Sequence, residues 1–226
     1  MKLSIIVPTL NEGTIIRASL TALSRLRSAG HEVIVADGDS SDNTIIAAES
    51  LADRVISCER GRARQMNAGA KAACGDILVF LHADTLLPLN ADSLIIDGIK
   101  QSDKHWGRFD IRLAGRRPLL RIIEILMNWR SRLSGIATGD QCLFVRREVF
   151  EAIDGFPDIA LMEDIAITRL LKRYGQPLCI RQKVITSSRR WEQQGILRTV
   201  ILMWRLRLGY FFGEDPRHLA RLYQQR

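Results

Sequence analysis

A chain of 226 residues with 46% apolar and 26% charged side chains is long enough to bury a substantial core and too ordinary in composition to be disordered. No apolar run approaches the ~18 residues of a membrane-spanning helix, and the first run gives way to Asn11 and Glu12 too soon for a secretory signal. The formal charge of +8 is the unusual bulk property, with nucleic acid, an anionic membrane surface and a phosphorylated ligand as the classes to separate.

In chain order, residues 3–7 form a β-branched apolar run, expected as a buried parallel strand stopped by Pro8. Asn11 is placed to cap a helix reaching about Ala29, with Gly30 after it. Residues 32–36 read as a second strand, followed by a polar turn and a helix from about Asp42. Residues 54–57 give a third strand, 63–73 a helix, and 77–81 a fourth strand. Farther on, strands are expected at 106–113, 142–145 and 184–186, and helices at 118–133, 146–153, 162–174 and 194–212. Strand–helix alternation predicts an α/β fold with a mostly parallel sheet covered on both faces, its ligands lying beyond the carboxyl ends of the strands. With no repeat or linker, one domain over 1–190 with a helical extension over 191–226 packed on it is the expected organisation. Cys58, Cys74, Cys142 and Cys179 show neither CxxC pairing nor metal spacing and are expected as reduced thiols of a cytoplasmic protein.

Three polar segments follow the first, second and fourth strands: 8–12, 37–44 and 82–85. One such segment is an ordinary turn; three at one sheet edge converge on a site. Pro8, Thr9 and Glu12 stand where a base and ribose could be held, and Asp37 can accept a hydrogen bond from an imide N–H. Arg60, Arg62 and Arg64 open a helix, and basic side chains at a helix N-terminus favour anions.

The ordered set Val7 to Glu12, Asp37 to Thr44, Gly61 through Asp84, Glu163-Asp164 and Arg190-Trp191 resembles glycosyltransferase family 2, with its GT-A fold, over essentially residues 1–190. The His82-Ala83-Asp84-Thr85 and Ser187 to Trp191 versions are similar to a small bacterial subgroup associated with arsenosugar biosynthesis clusters. The resemblance implies an inverting transfer from a nucleotide-sugar donor, UDP-sugar for preference, to an acceptor hydroxyl. It implies Asp84 as the ligand of Mg²⁺ or Mn²⁺ on the donor diphosphate, Asp164 as general base, and Glu163 as its support. By the same resemblance Gly61 and Asn67 line the nucleotide pocket, Arg64 is the leading basic candidate, Asp140 lies near acceptor and sugar, and Arg190 and Trp191 clamp diphosphate and stack on sugar. Two departures stand out: Gly38 replaces a second Asp, and His82 replaces the first Asp of the DxD motif.

The basicity has a location. Residues 1–113 carry 13 basic against 14 acidic side chains, and 114–226 carry 20 against 11. That argues against a general nucleic-acid footprint and for an anionic or lipid-linked acceptor, an anionic membrane surface at the inner face, or a homo-oligomer contact through the apolar–Arg helices at 118–133 and 196–208. A catalytically weak module that binds membrane or anionic ligands is the alternative. A nucleotidyltransferase is disfavoured because Pro8 to Glu12 stands where a glycine-rich loop would be.

Overall fold

The structure, a computed structural model, describes residues 1–224. In chain order its elements are β1 (Leu3–Thr9), α1 (Ile16–Ala22), α2 (Ser24–Ser28), β2 (Glu32–Asp37), α3 (Thr44–Glu49), β3 (Arg54–Ser57), α4 (Arg62–Ala72), β4 (Ile77–Phe80), β5 (Thr85–Leu86) and α5 (Ala91–Gln101). There follow β6 (Trp106–Leu113), α6 (Pro118–Ser134), β7 (Leu143–Arg146), α7 (Arg147–Ala152), α8 (Glu163–Leu171), β8 (Leu178–Thr186), α9 (Arg189–Gln193), α10 (Ile196–Phe211) and α11 (Pro216–Gln224). The strands make one sheet in the order β3-β2-β1-β4-β7-β6-β8-β5. The first four are parallel; β7 runs antiparallel to β4 and β6, and β5 antiparallel to β8.

Period-2 alternation divides the core between the sheet's faces. Ile5, Val7, Val33, Val35 and Val79 pack with residues of α1, α3, α5 and α6, while Ile6, Leu78, Phe80 and Val145 pack with residues of α4, α7 and α8. Pro8 does not stop β1. The β1–β4 ladder ends at Ile6–Phe80 while β1–β2 continues to Thr9–Asp37, so Pro8, like Ile6, turns its missing N–H toward a side where the ladder is already over. Asn11 is not a helix cap either. It takes φ 55°, and its Oδ1 accepts from Ser41 N–H at 2.9 Å, pinning the loop after β1 to the loop after β2. The helix expected from Asn11 to Ala29 is two short ones, β5 and α5 stand where no element is expected, and the expected C-terminal helical segment contains α10 and a separate α11.

The basic helices depart most from an ordinary surface pattern. On α6, Leu120 and Ile123 are buried, whereas Ile122, Ile125, Leu126, Trp129 and Leu133 are exposed, Trp129 at 64%. Two arginines of α6 turn to the protein instead: Arg121 donates to Leu113 O and Gly115 O, and Arg132 donates to Asp110 at 2.6 Å. On α10, Leu202 and Leu206 are buried while Leu197, Ile201, Trp204, Leu208 and Phe211 face outward, Trp204 at 66%. Among the described residues no helix is long and apolar enough to cross a membrane.

Candidate active site

The polar segments after β1 and β2 are hydrogen-bonded to each other at the carboxyl edge of the sheet, and the segment after β4 lies beside them, its Asp84 charge acting on Glu12. Asp37 accepts from Thr9 Oγ1 at 2.9 Å, Ser40 N–H at 2.7 Å and Ser40 Oγ at 2.6 Å, and is 0% exposed. Its carboxylate therefore ties two loops together beneath the surface, and Thr9, also buried, is its partner rather than an open wall. Glu12, whose N–H donates to Thr44 Oγ1, is held above the ordinary carboxylate range by burial. Asp84 and Asp42 add to that shift and Arg189 and Arg62 oppose it, which places all four charges around Glu12.

Gly38 explains one departure from the family pattern. A Cβ there would lie 2.9 Å from Gln65 Cδ, and buried Gln65 uses Nε2 to donate to Thr9 O at 2.6 Å and Ala36 O at 3.0 Å. An amide from α4 thus occupies the space a larger residue at 38 would need.

Asp84 follows β4 and is half-buried, its carboxylate touched by Thr85 Oγ1 at 3.4 Å. Thr85 Oγ1 also donates to Thr186 Oγ1 at 2.9 Å, a β5–β8 contact that draws Asp84 toward the segment carrying Arg189 and Arg190. His82 Nδ1 lies 3.3 Å from Asp140 Oδ1. The approach depends on Gly139, since a Cβ there would stand 2.4 Å from His82 Nε2. Burial pushes the Asp140 carboxyl up, but the His82 hydrogen bond and the charges of His82, Arg62 and Arg190 outweigh it and hold the carboxyl below its usual range.

Met162, at φ 71°, turns the chain into α8 and delivers Glu163 and Asp164 to the same place. Asp164 Oδ2 accepts from Gly139 N–H at 3.0 Å and Oδ1 from Ile165 N–H at 2.7 Å. Glu163 is 6% exposed, and burial, with the adjacent Asp164 charge, raises its carboxyl above the ordinary range. His82, Gly139, Glu163 and Asp164 line a cavity of about 10 Å³, room for one water at most.

Other expected residues point elsewhere. Arg64 is exposed and paired with Asp158 at 3.0 Å and Glu59 at 2.7 Å. Arg62, two residues earlier, has the field of Glu163, Tyr223, Asp140 and Asp164 on its guanidinium. Gly61, at φ 143°, begins α4, and Asn67 spends its amide on Phe156, donating to O at 2.8 Å and accepting from N–H at 2.9 Å. Trp191 packs against the core, so the aromatic beside Arg190 is Tyr223 of α11, whose ring lies 3.9 Å below the guanidinium. Pro8 is half-buried at the strand end. A larger cavity of about 560 Å³, lined by Lys71, Arg147, Phe150 and Asp154 among others, lies away from this edge.

Among the described residues no three His, Cys, Asp or Glu side chains gather as a metal site. One half-exposed carboxylate at a strand end, with lone pairs to spare, fits instead a hard cation whose remaining ligands are water and substrate phosphate.

Comparison with known proteins agrees with this geometry. A "Probable glycosyltransferase YdaM" from Bacillus subtilis (strain 168) is 27% identical over 238 residues, covering 95% of this chain and 55% of the relative. The chain thus spans about half that relative's length. Among solved structures, S. aureus TarS 1-349 in complex with UDP-GlcNAc superposes with TM-score 0.69 at 19% identity, over 83% of this chain and 58% of the other. The mannosyltransferase PcManGT from Pyrobaculum calidifontis, in complex with GDP-Man and Mn²⁺, superposes with TM-score 0.65 at 21% identity, over 98% of this chain and 68% of the other. These likenesses establish the GT-A fold. Residues 4–153 match the family described as Glycosyl transferase family 2, and the chain belongs to that family.

Proposed function

We propose that the protein is an inverting glycosyltransferase that moves a sugar from a nucleoside-diphosphate donor, a UDP-sugar for preference, to an acceptor hydroxyl. The convergence of Asp84, Arg62, the His82–Asp140 pair and Asp164 at one sheet edge carries this reading. Asp84 would hold Mg²⁺ or Mn²⁺, an ion that neutralises charge on the departing diphosphate. Arg62, Arg189 and Arg190 add fixed positive charge there, with Glu12 at the ribose side. Asp164, oriented by two backbone N–H groups, removes the proton of the acceptor hydroxyl, and Glu163 supports it.

The transferase domain in this reading is 1–190, extended by a helical segment over 191–226, of which 225 and 226 lie outside the described residues. The His82 to Thr85 and Ser187 to Trp191 motifs support the arsenosugar-associated subgroup. The outward apolar faces of α6 and α10, each with an exposed Trp, support peripheral contact with an anionic inner-membrane surface. A second copy docked on the same faces would set one basic rim against another. Calorimetric titration with UDP tests the donor reading: binding should strengthen with Mn²⁺ and lose that dependence in Asp84→Ala. Asp164→Asn should keep UDP binding and lose transfer. Equal Mn²⁺ dependence in Asp84→Ala, or unchanged turnover in Asp164→Asn, would refute the respective role.

A further inference from the structure

Of the arginines grouped around α6 and β6, three are neutralised. Arg108 and Arg132 share Asp110, and Arg121 pairs with Glu124 at 2.9 Å. Arg130 of α6 and Arg207 of α10 are different: among the described residues neither has an ion-pair partner, and Arg130 Nη2 is shut off from solvent with no hydrogen-bond acceptor. Their placement follows from packing. Leu202 and Leu206 are buried against Met162 and Ile165, the residues that flank Glu163-Asp164, so α10 lies on the start of α8 and carries Arg207 to it. Arg130 reaches the same place from α6, feeling the charges of both Arg207 and Asp164.

Two half-buried guanidinium groups from different helices therefore face the start of α8 without a direct ion pair, Asp164 and, for Arg207, Asp140 acting on them only from beyond salt-bridge distance. Burial first, and then Arg207 and Arg108, hold the Arg130 guanidinium down to about 10, and burial likewise lowers that of Arg207. Such an arrangement is unfavourable unless an anion completes it. A guanidinium fork suits phosphate oxygens, and a phosphate monoester carries close to the two negative charges that two arginines match. The acidic charges acting on the pair are those of Asp164 and, for Arg207, Asp140; Arg62 feels the same two carboxylates and also acts on Glu12, on which Asp84 acts too, so the pair lies on the Asp164 side of the site.

We infer that Arg130 and Arg207 form an anion subsite beside Asp164 that takes a phosphate group of the acceptor. The acceptor role rests on the reading of Asp164 as general base; the subsite itself does not. Trp129, next to Arg130, and Trp204, one turn before Arg207, are both exposed, so the subsite borders the apolar surface and either a lipid headgroup or a free phosphorylated molecule can supply the phosphate.

Inorganic phosphate is the probe, titrated calorimetrically into the full chain with UDP and Mn²⁺ saturating the donor side. Wild type is compared with Arg130→Gln, Arg207→Gln and, as a charge control, the exposed Arg181→Gln. Phosphate affinity should fall at least ~10-fold in Arg130→Gln and Arg207→Gln and stay within ~2-fold in Arg181→Gln, with UDP affinity unchanged throughout. Equal phosphate affinity in all four proteins, or displacement of phosphate by UDP, would overturn the inference. A melting curve guards against misfolding: relief of the like-charge contact should leave apo Arg130→Gln no less stable than wild type while abolishing the stabilisation by phosphate. If Arg130→Gln nevertheless does not fold, Arg207→Gln alone decides. Vesicles of phosphatidylcholine with and without phosphatidic acid separate the sources. A headgroup source requires weaker binding of the two variants to the acidic vesicles, and a free acceptor requires vesicle binding to stay the same while phosphate binding falls. Failure of wild type to bind UDP with Mn²⁺, with the phosphate pattern intact, would remove the acceptor role and leave the subsite standing.

Discussion

Gly38→Ala isolates the compensation between β2 and α4. The new Cβ would come within 2.9 to 3.1 Å of three atoms of the Gln65 amide, and Gln65 is 3% exposed, its amide held by two backbone carbonyls. Relief requires moving the amide off Thr9 O and Ala36 O. Thr9 O keeps the Gly38 N–H at 2.9 Å, so the loss is one bond at each of two carbonyls rather than two orphaned groups. At about 1–1.5 kcal/mol per bond the substitution should cost about 2–3 kcal/mol, which for a chain of this length lowers Tm by roughly 4–12 °C. Gln65→Ala already removes both bonds and opens the space, so adding Gly38→Ala to it should cost less than about 1 kcal/mol and can even stabilise by restricting the unfolded chain. Urea unfolding of the four proteins in a double-mutant cycle reads the coupling, expected at about 1–3 kcal/mol. Equal cost of Gly38→Ala in both backgrounds would show that Gln65 does not fill the space of the absent Asp.

Glu163 carries a pH signature. A carboxyl whose folded pKa is raised stabilises the fold below its unfolded pKa, near 4.3, and that contribution is lost as pH rises through the folded value. Glu163→Gln should therefore melt higher than wild type at pH 7, with the difference shrinking toward pH 4; a variant equally destabilised at both pH values would contradict the assignment. Asp110→Asn strips the counter-charge from Arg108, which is 0% exposed, and should cost about 3–5 kcal/mol by urea unfolding. Arg132→Met leaves the Arg108–Asp110 pair in place and should cost clearly less; the reverse order would refute the role given to Asp110. Replacing Trp129 and Trp204 together with Ser should weaken binding to anionic vesicles at least ~10-fold without altering UDP affinity, and undiminished binding would remove these faces from the membrane contact.

The Asp110 network also shows why α6 could not be read correctly from its period alone. Helical spacing predicts an apolar–Arg helix from Pro118, and an amphipathic helix packed by its apolar face ordinarily turns such arginines to water. The direction is reversed for Arg121 and Arg132 because backbone carbonyls at the end of β6, Glu124 and Asp110 offer partners on the inner side. The Arg121–Glu124 pair is a local i,i+3 contact within α6, but Asp110 and the carbonyls of Leu113 and Gly115 lie outside the helix, so the period of α6 does not report them.

The sequence by itself determined the alternating strands and helices of the first half, the collection of polar segments at one sheet edge, and the family. Apolar β-branched runs and turn residues act locally, and the motifs lie within single loops. Only the tertiary structure decided which side chain at each motif faces the site. Arg62 and Arg64 are two residues apart on α4 and so point to opposite sides; both are exposed, but the fold sets Arg62 in the field of Glu163, Asp140 and Asp164 and pairs Arg64 with Asp158 and Glu59. Trp191 went to the core because α9 packs there, and Tyr223 of α11, more than thirty residues on, took the place beside Arg190. Asp37 was sealed by Thr9 and Ser40, and Gly38 was left bare for Gln65. Each outcome turns on a contact between elements, fixed by which surfaces are buried together.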